Sequence, residues 1–153
     1  MTTVTEGAPA PDFDLETPDG RVRLADFAGK TLVLYFYPKD DTAGCTREAQ
    51  DFTALAPEFA KAGVAVVGVS KDTVAAHRKF AGKYGLSVTL GSDPTGETVE
   101  RYGSWVEKSL YGRKYMGIDR STFLIRDGKI VKVWRKVKVP NHAQQVLEAA
   151  KTA

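Results

Sequence analysis

The chain contains a single cysteine, Cys45, in a segment whose residue types could support nucleophilic chemistry. It completes the spacing Pro38-x-x-x-Thr42-x-x-Cys45, after an apolar run that ends at Tyr37. Thr42 is a good helix N-cap, so the cysteine is predicted to lie in the first turn of a helix. There the sulfur would face unpaired backbone N–H groups and the positive end of the helix dipole, which favour the thiolate. The segment therefore predicts a reactive thiol.

An inert, buried cysteine is the alternative interpretation, because free cysteines often serve as small apolar core residues. The loop position argues against it, since loops that follow a core strand commonly carry reactive groups. Gly44 also has no side chain to obstruct a small ligand that approaches the sulfur. We therefore expect Cys45 to react.

The elements that must position this thiol follow from the apolar pattern along the chain. An extended arm is expected over residues 1–12, and a turn at Thr17–Gly20 predicts an N-terminal β-hairpin. Residues 105–115 show no clear period and are expected to form an irregular connection. Strands are predicted at 13–15, 22–24, 31–37, 64–69, 88–90, 121–125 and 129–139, and helices at 45–59, 73–84, 97–102 and after 141.

This order of elements predicts one α/β domain spanning residues 1–153. The arrangement fits a thioredoxin-like fold, with a central mixed β-sheet flanked by helices and an N-terminal β-hairpin. Pro57 is expected to kink the first helix, and Gly63 to end it. Asp72 or Thr73 is expected to cap the second helix, and Gly85 to stop it. A fold of this class hosts many activities, so function must be argued from the site.

One basic stretch, residues 129–138, raises the question of nucleic-acid binding. Its valines and lysines mostly alternate, which is typical of a half-buried strand with a solvated outer face. Arg135 breaks the alternation and suggests a bulge there. The formal charge is only +3, and Trp134 is the one aromatic residue in the stretch. A nucleic-acid partner is therefore disfavoured.

Composition argues against secreted, membrane-spanning and metal-binding classes of protein. One cysteine cannot form an internal disulfide, and the N-terminal residues show neither a signal peptide nor a membrane-spanning run. His77 and His142 are far apart and have no companion ligands, so no metal site is expected. These features predict a cytoplasmic protein without a membrane association.

The segment Phe36–Phe52, FYPKDDTAGCTREAQDF, resembles peroxiredoxins of the bacterioferritin-comigratory or peroxiredoxin Q type. Further similar stretches lie at residues 7–13, 24–30 and 120–125, and the likeness continues through Trp134 and His142. It covers nearly the whole chain. The resemblance implies a monomeric thiol-dependent peroxidase that reduces hydrogen peroxide and organic hydroperoxides and needs no cofactor.

The resemblance also implies roles for three catalytic residues. Cys45 would attack a peroxide oxygen and become a sulfenic acid, while Thr42 and Arg120 would lie beside the sulfur. Such a site must favour the thiolate and stabilise the charge on the departing oxygen. Without the resemblance, Arg120 could equally be a surface residue next to Asp119.

Supporting roles follow from the same resemblance. Pro38 would shape the loop and shield the sulfur, and the backbone near Gly44 would supply N–H donors. Glu48 would orient the arginine, although a helix-surface carboxylate is a nearly equal alternative. Tyr37 and Trp105 are interpreted as packing residues.

Many relatives of this type carry a second, resolving cysteine five residues after the first, where this chain has Gln50. Five helical residues correspond to about 140° of rotation, so such a pair bonds only if the helix unwinds. Here the sulfenic acid needs an external thiol: thioredoxin, glutaredoxin with glutathione, or another low-molecular-weight thiol. Without a partner, it is expected to oxidise further to sulfinic acid under excess peroxide.

Two other functions are compatible with parts of the sequence. A thiol–disulfide oxidoreductase needs a Cys-x-x-Cys pair, which the chain lacks. A binding or chaperone-like module could keep the fold and lose turnover. The presence of Thr42, Cys45 and Arg120 together argues against that second alternative.

Overall fold

The computed structural model describes residues 4–153, so the first three residues of the expected N-terminal arm lie outside it. Nine strands and five α-helices follow the arm. The strands are β1 Asp14–Thr17, β2 Gly20–Arg23, β3 Thr31–Phe36, β4 Val64–Ser70, β5 Thr89–Ser92, β6 Trp105–Leu110, β7 Arg113–Ile118, β8 Ser121–Arg126 and β9 Lys129–Trp134. The helices are α1 Ala43–Ala54, α2 Ala56–Lys61, α3 Val74–Tyr84, α4 Glu97–Arg101 and α5 His142–Lys151.

Seven strands form one mixed sheet in the order β2-β1-β5-β4-β3-β8-β9. The central strand β3 pairs in parallel with β4 and antiparallel with β8, and every one of its residues is buried. A strand buried on both faces explains its unbroken apolar run. The mixed sheet, its flanking helices and the β1–β2 hairpin confirm the predicted fold class.

Side chains of β3 alternate between two apolar clusters. Val33 and Tyr35 pack with residues of α1, α2, α3 and α5 on one face. Leu32, Leu34 and Phe36 pack on the other face with α4, β7 and the N-terminal arm. Since β3 is clamped on both faces, the loop that leaves its carboxyl end starts from a rigid point.

Helix α3 begins and ends where the sequence predicts. The hydroxyl of Thr73 accepts a hydrogen bond from the backbone N–H of Ala76 at 3.2 Å. Gly85 ends the helix in the left-handed conformation, with φ of 62°. The predicted long helix after Cys45, by contrast, breaks at Leu55, and Pro57 lies in the first turn of α2, where its missing N–H costs no helical bond.

The expectation of an irregular connection at 105–115 is wrong. Strands β6 and β7 form a separate antiparallel hairpin there. Tyr111 and Gly112 both have positive φ, at 51° and 77°, as two-residue hairpin turns require. The hairpin belongs to its own two-stranded sheet and most of its residues are partly or fully exposed, so its sequence lacks the usual apolar alternation.

The last strand is also shorter than predicted. Strand β9 ends at Trp134 rather than at 139, and Lys136 has a positive φ of 49°. The register shifts opposite Leu124 and Ile125, which makes Val131 the extra residue. The bulge is therefore at Val131, not at Arg135. None of the helices in residues 4–153 is both long and apolar enough to cross a membrane.

Candidate active site

Cys45 is the third residue of α1, and its side chain is only 2% exposed. The first intrahelical bond runs from the Thr46 N–H to the Thr42 carbonyl, at 2.8 Å. The backbone N–H groups of Ala43, Gly44 and Cys45 therefore precede the helical ladder. The sulfur lies where the sequence places it, beside a helix N-terminus.

Arg120 lies next to the sulfur, although 75 residues separate it from Cys45 in the chain. Its Nη2 donates to the Cys45 Sγ at 3.3 Å, and its Nη1 donates to the Glu48 Oε1 at 2.7 Å. The residue directly precedes β8, whose start pairs with the end of β3. One guanidinium thus holds both a sulfur and a carboxylate, a geometry that stabilises negative charge on the sulfur.

Glu48 lies one turn after Cys45 and is 1% exposed, so the alternative of a helix-surface carboxylate is wrong. Burial raises the pKa of Glu48 to about 7, although the neighbouring Arg120 acts to lower it. Its Oε2 has no hydrogen-bond partner among the described residues. Burial lowers the pKa of Arg120, but Glu48 and Cys45 raise it, and the net shift is upward. The guanidinium therefore stays charged.

Thr42 occupies the N-cap position but does not form the predicted cap bond. Its hydroxyl donates instead to the carbonyl of Lys39, at 2.8 Å, within the same loop. The oxygen lone pairs of an exposed hydroxyl held in this way remain free to accept a hydrogen bond from a ligand. Pro38 is exposed at the start of the loop.

Gly44 is needed for the approach of the arginine. A Cβ at this position would lie 3.1 Å from the Arg120 Nη2, tighter than an ordinary contact. The residue therefore leaves space for a protein group as well as for a ligand. Gln50, in the position of the usual resolving cysteine, is exposed on α1.

A groove of about 430 Å³ adjoins this loop and is bordered by the β6–β7 hairpin. Lys108 is half-buried in it; burial lowers its pKa, whereas Asp119 raises it. The Nζ of Lys71 lies 4.4 Å from the centre of the Trp105 ring, a cation–π contact. The groove beside the loop is lined by Pro38, Lys39, Lys71, Asp72, Trp105, Lys108, Tyr115, Met116, Gly117 and Ile118. A separate, larger cleft of about 650 Å³ lies against β1 and α4 and includes none of the predicted site residues.

The two histidines lie in different buried environments. His142 shares a 2.8 Å hydrogen bond with the hydroxyl of Thr122, and burial together with Arg120 lowers the pKa of this histidine to about 4. His77 contacts the Asp40 carboxylate at 2.7 Å. Among residues 4–153, no three histidine, cysteine or acidic side chains are grouped closely enough to hold a metal ion.

Sequence reasoning missed the role of the Tyr37 side chain. Its hydroxyl donates to Asp40 at 2.6 Å, so the residue does more than pack. The contact between Asp40 and His77 joins residues 37 positions apart, and no local spacing pattern signals it. Trp105 does pack against the core, beneath Lys71.

Comparison with known proteins gives consistent matches. The model of the AhpC/TSA family matches residues 7–133. A relative from Coxiella burnetii, named putative peroxiredoxin bcp, is 48% identical over 147 residues, which cover 95% of this chain and 97% of the relative.

Two solved structures are similar over nearly their full length. The bacterioferritin comigratory protein of Xanthomonas campestris, described with trapped intermediate and ligand complexes and with alkyl peroxide reduction activity, is 45% identical, with a TM-score of 0.87 over 92% of this chain and 90% of its own. A cysteine-to-serine mutant of Xylella fastidiosa PrxQ is 36% identical, with a TM-score of 0.93 over 99% and 98%.

Proposed function

Because the chain belongs to the AhpC/TSA family, with peroxiredoxins of the bacterioferritin-comigratory and Q type as relatives, we propose that it is a thiol-dependent peroxidase with Cys45 as its nucleophile. The observation that carries this proposal is the 3.3 Å hydrogen bond from the Arg120 Nη2 to the Cys45 Sγ. Hydrogen peroxide and organic hydroperoxides are the proposed substrates. The alkyl peroxide reduction described for the Xanthomonas campestris relative supports the second class.

In the proposed reaction, the Cys45 thiolate attacks one oxygen of the peroxide. A sulfur–oxygen bond forms, the oxygen–oxygen bond breaks, and the sulfur is oxidised to a sulfenic acid. The attacked oxygen keeps its hydrogen in the sulfenic acid, and the departing oxygen takes a proton from solvent and leaves as water or an alcohol. Arg120 and the backbone N–H groups at Gly44 and Cys45 stabilise the spreading negative charge, and the Thr42 hydroxyl accepts a hydrogen bond from the peroxide O–H.

The sulfenic acid is then reduced by an external thiol, because Cys45 is the only cysteine in the chain. One thiol displaces water to give a mixed disulfide, and a second thiol releases Cys45 and forms an external disulfide. The first thiol is proposed to dock in the groove beside the loop, from which it reaches the sulfur when the loop moves. Its lysines, Lys39, Lys71 and Lys108, favour a reductant with acidic groups around its sulfur.

We also propose that the protein works as a monomer in the cytoplasm, where cellular thiols remain reduced. The proposed reductants are thioredoxin, glutaredoxin with glutathione, or another low-molecular-weight thiol. Steady-state turnover with each reductant in turn would rank them. Sedimentation of the reduced and oxidised protein would test the monomer.

Stopped-flow mixing of the reduced protein with hydrogen peroxide tests the central step. We expect loss of one thiol per chain at a rate far above that of free cysteine, with a matching change in tryptophan fluorescence. The Cys45→Ser variant should give neither signal, and mass spectrometry should show one added oxygen on Cys45 at limiting peroxide. A rate no faster than that of free cysteine would rule out the proposed function.

A further inference from the structure

His77 is fully buried in α3, and both of its ring nitrogens face oxygen acceptors. The Nδ1 lies 2.7 Å from the Asp40 Oδ2, and the Nε2 lies 3.0 Å from the carbonyl oxygen of Gly91. A carbonyl cannot donate, so the Nε2 carries a hydrogen. A second proton must then lie between the Nδ1 and Asp40, which makes the two residues a single hydrogen-bonded unit inside the protein.

Asp40 is held from two further directions. Its Oδ1 accepts the hydroxyl proton of Tyr37 at 2.6 Å, and its backbone N–H donates to the Asp72 Oδ2 at 2.9 Å. Asp72 is in turn held by the Ser70 hydroxyl, at 2.6 Å. Asp40 is only 8% exposed, although it belongs to a loop. One loop residue is thus tied to the ends of β3 and β4 and to α3.

The position of Asp40 in the chain connects these bonds to the proposed active site. It lies between Pro38 and Thr42, five residues before Cys45, in the loop that leads into α1. Cys45 is only 2% exposed in this arrangement, so little of its surface is open even to a molecule as small as a peroxide. A bulkier thiol can reach the oxidised sulfur only if the loop moves.

We propose that Asp40 and His77 are positioning residues that keep the loop over residues 38–42 closed on Cys45. The proposal rests on the peroxidase function above and extends it to regulation of the same site. The closed loop holds Thr42 and the α1 N-terminus in place for the reaction with peroxide. The open loop exposes the sulfenic acid to the external thiol. Weakening the Asp40–His77 unit should therefore slow the oxidation of Cys45 and speed the reduction of its sulfenic acid.

The test measures the two half-reactions separately in Asp40→Asn. We expect the second-order rate constant for oxidation by hydrogen peroxide to fall about tenfold. The rate constant for reduction of the preformed sulfenic acid by dithiothreitol should rise about threefold. Formation of sulfinic acid under excess peroxide should fall with the first rate. Circular dichroism must show that the variant is folded, because an unfolded chain would also expose the sulfur to dithiothreitol.

Asp41→Asn is the matched control in the same loop. Asp41 also bonds α3, through the Lys83 Nζ at 2.9 Å and the Tyr84 hydroxyl, but this pair is exposed. Its φ of 59° suits asparagine, so the backbone is preserved. Both rate constants should stay within about twofold of the wild type, because exposed ion pairs contribute little.

Tyr37→Phe is a second variant that tests the same unit if Asp40→Asn does not fold. It removes one hydroxyl and keeps the ring. We expect the same two opposite changes, each about threefold. The proposal is overturned if both half-reactions slow together in the folded variants, or if neither changes. In either case, fast oxidation of the wild type that is lost in Cys45→Ser would leave the peroxidase function intact.

Discussion

Two acid–base pairs with buried carboxylates lie near the start of α1, and they differ in what else they touch. Arg120 contacts Glu48 at 2.7 Å, and His77 contacts Asp40, also at 2.7 Å. Each pair joins the loop or helix around Cys45 to a distant part of the chain. Only Arg120 also contacts the sulfur, at 3.3 Å.

The difference shows how similar pairs can serve separate purposes. A guanidinium has enough donors to bind a carboxylate and a sulfur at once, so the first pair acts on the charge of the nucleophile. The imidazole of His77 uses both nitrogens on Asp40 and Gly91, so the second pair can act only through the position of the loop. Electrostatic stabilisation and loop geometry are thus carried by different residues.

The largest effect is expected for Arg120→Met, which removes the charge beside the sulfur. The rate constant for oxidation by hydrogen peroxide should fall about 10²- to 10³-fold, as for loss of a donor to a transition-state charge. Stopped-flow fluorescence measures it. Arg126→Met, at the far end of β8, is the control and should change the rate less than twofold. If the rate constant falls less than threefold in Arg120→Met, Arg120 does not act on the charge of the sulfur, and the two pairs do not differ in the way assigned to them.

A smaller effect is expected for Glu48→Gln, which leaves the arginine in place without its carboxylate. Oxidation should slow about tenfold at pH 8, because the guanidinium is less firmly oriented. Burial raises the pKa of Glu48 to about 7, so the wild-type rate should contain a rise near that pH as the carboxylate forms. The variant should lack this rise. An unchanged pH profile would contradict the role of the carboxylate.

The same substitution should affect stability in the opposite sense. The pKa of the Glu48 carboxyl is about 7 in the folded protein and 4.5 in the unfolded chain. The folded state therefore retains a proton that the unfolded chain releases. That stabilisation is present below pH 4.5 and is lost as the pH rises through 7. Chemical denaturation should therefore show the wild type losing free energy of unfolding relative to Glu48→Gln over this range. A constant difference would contradict the raised pKa.

The smallest effect on oxidation is expected for His142, whose pKa Arg120 helps to lower and which has no carboxylate partner within residues 4–153; its effect is on stability. Burial and Arg120 lower its pKa from 6.5 to about 4, so the unfolded chain takes up the proton first. Its contribution to the free energy of unfolding is present above pH 6.5 and is lost as the pH falls through 4, by at most about 3 kcal/mol. The His142→Gln variant should lack this part of the loss of stability at low pH. If its free energy of unfolding follows the same pH dependence as the wild type, a neutral buried His142 is contradicted.

Several features could be predicted from short stretches of sequence. The apolar run of β3, the turn before β2, and the cap and glycine of α3 are local signals, and the structure has these elements where they were expected. The β6–β7 hairpin was missed, because alternation is weak where neither face of a ribbon is fully buried. The end of β9 was missed because alternating valines and lysines continue past Trp134.

The sequence by itself determined that one thiol stands at the start of a helix and that no second cysteine can close a disulfide. Both follow from residue identity and spacing along a few turns of chain. Only the tertiary structure decided which groups surround the thiol. The order of strands brings the start of β8 beside the end of β3, and Arg120 to the sulfur across 75 residues. Packing of α3 against the sheet likewise brings His77 to Asp40, because such contacts depend on the path of the whole chain.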